Sequence, residues 1–269
     1  MTSDADADAE PYVLRSDRQA VATLTLNRGD RFNPLSVAMI AGLQAQLAAV
    51  ARDPAVRVVV LAAAGRGFCA GHDLAELRAH TDGGPWQQQL FDDCAAMMLA
   101  LTRIPQPVIA RVHGIATAAG CQLVSMCDLA VAADTARFAL PGVNVGIFCS
   151  TPAVGVVRNV GRKRAMELLL TGTPVDAATA LAWGLVNRVV PAGELDAAVG
   201  AFTDVITARS ARVVAGGKRA FYAQVDQPID AAYGLAGPAM VADLLHPDAA
   251  EGIDAFLGKR APVWTPSQG

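Results

Sequence analysis

Residues 114–128 constrain the fold of this chain more than any other stretch. An apolar run, Pro107-Val108-Ile109-Ala110-Arg111-Val112, has the character of a strand and feeds Gly114. A turn of small residues follows, and a helix-compatible run begins near Ala119. Small side chains where a strand gives way to a helix let another molecule approach the main chain. The first-turn N–H groups have no intrahelical acceptor and meet that molecule with the positive end of the helix dipole. Such a turn suits an oxyanion better than a proton-transfer group.

The segments before it set up the same theme. Residues 21–26 alternate and are rich in β-formers, which predicts a strand, and 27–34 carry the Gly, Asp, Asn and Pro of a loop. Ser36 caps a helix with apolar residues at Met39, Ile40, Leu43, Leu47 and Val50, which Asp53-Pro54 ends. Residues 56–62 are continuously apolar, as in a strand buried on both faces. A glycine-punctuated turn, 65–74, leads to a short helix, and Asp73 is placed to hold it by accepting neighbouring N–H bonds. Residues 80–85 are expected to be mobile, and 86–103 form an amphipathic helix.

After the central turn, strands are predicted at 129–132, 137–140 and 185–190, and helices at 161–170 and 176–183. Thr151 is expected to cap a further helix with Pro152 at its first position. From residue 194 the pattern is helical throughout: 194–209, 211–225, 229–245 and 248–257. Three regions are thus expected: an acidic disordered tail at 1–10, a β-containing core at 11–193 and an all-helical region at 194–269.

Apolar residues make up 53% of the 269 residues and charged ones 17%, so the chain is globular. A net charge of −3 leaves no domain-wide basic face, and no nucleic-acid partner is expected. No apolar run reaches about 18 residues without a charge or breaker, so no membrane span is expected. The five cysteines are odd in number without CxxC spacing, and the four histidines are scattered, so neither a metal site nor a disulfide framework is expected. Reduced thiols and an N-terminus without a basic leader point to a cytoplasmic protein.

Two loops, 68–74 and 114–122, share one design: a buried strand, a turn of small residues and a helix start. Together they offer two convergent backbone N–H groups, the minimum for stabilising an enolate or a tetrahedral thioester oxyanion. A neutral donor pair suits a carbonyl that gains charge only in the transition state.

The blocks Phe68-Cys69-Ala70-Gly71-His72-Asp73-Leu74, 114–128, Phe138-x-x-Pro141 and Gly184-Leu185-Val186-Asn187 resemble the signatures of the crotonase (enoyl-CoA hydratase/isomerase) superfamily. The run 251–260 is similar to that family's C-terminal block, and the resemblance covers 11–263 in order. It implies an α/β fold, a spiral of ββα repeats with a C-terminal all-helical trimerisation region, assembled as a homotrimer or dimer of trimers. It implies acyl-CoA thioester ligands in fatty-acid or acyl-CoA metabolism, with coenzyme A as part of the substrate and no other cofactor. The oxyanion hole would be the backbone N–H groups of His72 and Ala119. Substrate contacts would come from Arg31, Phe32, Cys69, Ala70, Gly71, Asp73, Leu74, Gly142 and Ser150. Phe256 and Lys259 would add contacts at the helix ends, Lys259 from a neighbouring subunit.

Departures from the family pattern decide the chemistry. Family hydratases carry two glutamates, at positions where this chain has Gln122 and Gly142. Hydration needs a base to activate water and an acid to protonate the α-carbon. A glutamine amide positions water but exchanges no proton near pH 7, and glycine offers nothing. Some relatives place an aspartate where Ser150 stands, and a serine is no unassisted substitute. The expectation is an atypical member that stabilises a thioester enolate with weak hydratase or isomerase chemistry. His72, a Gln122-bound water or the substrate itself would handle protons. The alternative is a non-catalytic acyl-CoA binder that has lost its acid/base pair. Cys149 precedes a helix that would favour its thiolate, yet no matched histidine stands beside it. Cys69 and Cys121 read as small packing residues.

Overall fold

A computed structural model describes residues 10–81 and 83–265. In chain order its elements are β1 (Val13–Arg18), β2 (Val21–Leu26), α1 (Val37–Ala51), β3 (Val58–Ala63), α2 (Leu74–Ala79), α3 (Pro85–Arg103) and β4 (Val108–Val112). There follow β5 (Ile115–Thr117), α4 (Ala119–Met126), β6 (Leu129–Ala133), β7 (Arg137–Ala139), α5 (Ser150–Val160), α6 (Arg162–Thr171), β8 (Val175–Asp176), α7 (Ala177–Trp183) and β9 (Arg188–Val190). The chain then continues through α8 (Leu195–Thr207), α9 (Ala211–Gln224), α10 (Ile229–Leu244) and α11 (Pro247–Leu257).

The main sheet has the order β1-β2-β3-β4-β6-β9, parallel except for the antiparallel β1 edge. Its alternation explains the unbroken apolar run of β3. Val59 and Leu61 join the large core with α1, α3 and α4, while Val58 and Val60 face Leu195 and Val199 of α8. A smaller sheet, β5-β7-β8, stands apart from it. This mixed α/β arrangement, with a helical C-terminal region, is the expected fold class.

Several local readings need correction. Cys149, not Thr151, caps α5, and Ser150 opens it. Of the strand expected at 185–190, only Arg188–Val190 pairs. Gly184 ends α7 in the left-handed region, and the buried Leu185 and Val186 connect it to the sheet. The edge strand β1 carries no apolar alternation, because its polar residues face solvent and Arg15 binds Asp17 and Asp53. Within 80–85, His80 stacks on Trp86 at 3.9 Å and lies against the Glu76 carbonyl, while Asp82 lies outside the described residues. The acidic tail at 1–10 likewise falls outside them, save Glu10, which is exposed.

A buried ion pair fixes α9 to the core. Lys218 Nζ donates to the Leu101 and Gln106 carbonyls and to Asp128 Oδ2 at 2.7 Å. The same carboxylate accepts the Val108 N–H and the Tyr222 hydroxyl, so one aspartate ties the start of β4 to α9.

Candidate active site

The loop after β3 is held on both sides. Asn33 is fully buried with a positive φ of 51°, and its Nδ2 donates to the Ala64, Gly67 and Phe68 carbonyls. The Ala70 N–H donates to the Phe32 carbonyl and the Leu35 N–H to the Gly71 carbonyl. On the other side the loop pairs with β5: the Phe68 N–H donates to the Ile115 carbonyl, and the Thr117 N–H donates to the Cys69 carbonyl. Thr117 Oγ1 closes the seam on the Ala70 carbonyl.

This clamp brings His72 beside the start of α4. Gly71, at φ +92°, packs so closely that a methyl group on it would lie 2.9 Å from Ala118 Cβ and 3.2 Å from the Ala119 nitrogen. Gly120 sits tighter still against the Cys69 carbonyl. Glycine is needed at both positions because backbone meets backbone there. Ala119 is the first residue of α4, so its N–H has no intrahelical acceptor. Among the described residues neither the His72 nor the Ala119 N–H donates to an acceptor. Two unpartnered donors on adjoining loops are able to receive developing negative charge.

The side chains around these donors are sparse in acids. Asp73 accepts the Ala75 and Glu76 N–H groups as the cap of α2 and pairs with Arg31 at 3.0 Å. Glu76 accepts the Val37 N–H. Both carboxylates nearest in sequence to His72 are therefore engaged in structure. His72 Nδ1 donates to the Leu35 carbonyl, and its ring meets Phe91 edge-on at 5.1 Å. That bond fixes the tautomer in which Nε2 carries a lone pair, and Nε2 is buried without a partner. Burial lowers the His72 pKa from its ordinary value, so the ring is neutral at pH 7. Gln122 is buried with Oε1 unpartnered. Gly142 is buried, and a Cβ on it would fall 2.8 Å from Cys149 Sγ. Burial pushes Cys69 and Cys121 up to about 12, in keeping with packing roles.

Of the residues singled out in the sequence, Arg31, Phe32, Cys69, Ala70, Gly71, His72 and Asp73 are joined by these contacts to one another and to Ala119. Leu74 is 56% exposed at the start of α2. Ser150 is exposed at the first position of α5. Phe256 is 82% exposed at the end of α11, with Lys259 just beyond. Neither is bonded to the two loops. Asn33 and Thr117 were overlooked as organisers of the site. Asn33 left a faint trace as the asparagine directly before Pro34-Leu35, whereas the role of Thr117 depends on a strand pairing no local pattern announces. A cavity of about 520 Å³ lies elsewhere, at the opposite ends of β3 and β4, against Arg52, Pro105 and Ala211.

The model of the enoyl-CoA hydratase/isomerase family matches residues 16–267. The chain belongs to that family. Enoyl-CoA hydratase domain-containing protein 3 of Mus musculus is 42% identical over 262 residues, covering 97% of this chain and 87% of the mouse protein. The crystal structure of an enoyl-CoA hydratase from Mycobacterium smegmatis superposes with a TM-score of 0.93 at 53% identity, covering 95% of this chain and 99% of that one. The human domain-containing protein 3 superposes at 0.91 with 43% identity, covering 94% and 100%. Membership in the crotonase superfamily and its fold is thereby shown, with an acyl-CoA substrate implied for the family.

The family's relatives correct one expectation. The proteins from Mus musculus, Xenopus laevis and Homo sapiens are mitochondrial by name, against the cytoplasmic location read from the sequence. Free, buried thiols suit a mitochondrial interior as well as a cytosol, so cysteine usage never separated the two.

Proposed function

We propose that this family member binds acyl-CoA thioesters and stabilises a thioester enolate between the backbone N–H groups of His72 and Ala119. The observation that carries the reading is the packing of Gly71 on the Ala119 nitrogen, which sets two unpartnered donors on adjoining loops. Arg31 and Phe32, tied to the same loop through Asp73 and Ala70, would contact coenzyme A. Ala70, Gly71, Asp73 and Leu74 would line that side with Cys69 packed beneath them, and Gly142 and Ser150 would border the acyl side. Coenzyme A enters as part of the substrate, with no further cofactor.

The hydratase or isomerase chemistry is weak and atypical. Gln122 and Gly142 occupy the positions of the two family glutamates, and no rotamer restores an acid at either. Forfeiting a positioned acid or base lowers each proton transfer on the order of 10²–10⁴-fold. A second reading, a binder without turnover, is favoured by the crowding over Gly142, where the Ile147 carbonyl would lie 2.3 Å from a Cβ.

The test pairs a butyryl-CoA binding titration with crotonyl-CoA turnover and with α-proton exchange of butyryl-CoA in D2O. Binding with measurable exchange and slow hydration is expected. Absence of binding overturns the proposal, binding without exchange or turnover leaves the binder reading, and hydration at rates typical of two-carboxylate enzymes overturns the assignment of Gln122 and Gly142.

A further inference from the structure

An enolate held by two N–H groups still needs a proton at its α-carbon, and the hole supplies none. Three side chains near the start of α4 are left for that task. Gln122 has no exchangeable acidic proton. His72 is neutral, its one N–H is bonded to the Leu35 carbonyl, and its lone pair is a base rather than an acid. The third is Cys149.

Geometry links Cys149 to the hole. The Ala118 N–H donates to the Ala139 carbonyl at 2.9 Å, and the chain runs from Ala139 in three residues to Gly142. Cys149 Sγ fills the space beside Gly142, 2.8 Å from where a Cβ there would sit. Cys121, two residues beyond Ala119, belongs to the same buried core cluster as Cys149. Gln122 lies one turn before Ser125 and Met126 on one face of α4; it is 6% exposed and its Oε1 has no partner. One turn further on, Ser125 Oγ lies 2.4 Å from where a Cβ on Gly155 would be, so this face of α4 packs directly on α5. A buried acceptor with no partner is a place for a donor from a ligand or its water.

We propose that Cys149 is the proton donor to the α-carbon of the bound thioester. This rests on the acyl-CoA reading above. In the step, the enolate forms a C–H bond at its α-carbon as the S–H bond breaks, the carbonyl re-forms, and a thiolate remains on Sγ. The enolate itself arises by the reverse step, in which the thiolate form of Cys149 takes an α-proton from the bound thioester and becomes the thiol; the thiol exchanges its proton with solvent before returning one to carbon, and no oxidant or reductant is needed. Burial raises the Cys149 thiol above its ordinary value, which keeps it protonated at pH 7, while the Gly142 N–H favours the thiolate once formed. The N-terminus of α5, 11 residues long, adds its dipole to the same end.

The test measures α-proton exchange of butyryl-CoA in D2O for the wild type, Cys149→Ser and Cys149→Ala, with a binding titration on each. Unchanged binding and exchange slowed about 10²-fold or more in both variants are expected. Exchange at the wild-type rate in Cys149→Ala overturns the proposal. An independent arm uses wild-type protein and bromoacetyl-CoA, in which an S–C bond forms as bromide leaves and the thiol proton passes to solvent. Mass spectrometry should find Cys149 alone alkylated, with butyryl-CoA protecting it; modification of another cysteine, or of none, overturns the proposal. Wild-type binding without exchange overturns the role of Cys149 alone, and absence of binding overturns the acyl-CoA reading with it.

Discussion

Gly71 carries a double demand at the level of single residues, on conformation and on space. Its φ of +92° disfavours any side chain, and the nearest atoms belong to Thr117, Ala118 and Ala119. Gly71→Ala should push the two donor loops apart while leaving the sheet intact. Loss of one oxyanion donor costs about 10²–10³-fold in rate, so α-proton exchange should fall by that amount with an unchanged circular dichroism spectrum. Much at this scale was readable in advance. The small residues at 71, 114, 119 and 120 pointed to close backbone approach at two strand-to-helix turns. The Asn33 bonds were hidden, since a buried asparagine with three carbonyl partners looks in sequence like any loop asparagine.

At the level of elements, small groups of polar contacts fix the C-terminal helices. Lys218 is 6% exposed at its side chain and neutralises Asp128 beneath α9. Burial outweighs the attraction and lowers its pKa from the ordinary value, so the pair positions α9 rather than adding net stability. Removing one partner is different, because Asp128 then loses its counter-charge and keeps only the neutral donors of Val108 and Tyr222. Lys218→Met should cost about 3–5 kcal/mol in urea unfolding. At the other end of the helical region, Arg260 and then the Val263 N–H hold Glu251 down to about 2, from 4.5. A depressed carboxylate contributes stability above its unfolded value and loses it as pH falls. The segment after α11 should therefore loosen between about 4.5 and about 2, which Trp264, bonded to the Ala208 carbonyl, reports by fluorescence in a chain whose other tryptophans are replaced. Helix periods and the β3 run were legible because burial on one stripe or on both faces leaves a repeating mark. β1, β5 and β8 were not, because an exposed edge and strands of two or three residues exist only through their partners.

On the scale of the whole molecule, the helical region leaves apolar surface uncovered. Ile229, Tyr233, Leu245, Phe256 and Leu257 are 72–82% exposed on or beside α10 and α11. Exposed apolar surface on that scale marks a protein contact. Sedimentation should give three or six times the chain mass of 27.8 kDa, and a monomer at micromolar concentration would overturn the homotrimer or dimer-of-trimers assembly proposed from the family. The pairing of Cys69 with Ala116 has a consequence for folding itself. The two donor loops meet only once segments 47 positions apart have found each other, so a thioester that grips both recognises the finished chain and ignores every partly ordered form. Each tenfold rise in such a ligand above its Kd then adds about 1.4 kcal/mol to unfolding, and the melting temperature climbs with its logarithm.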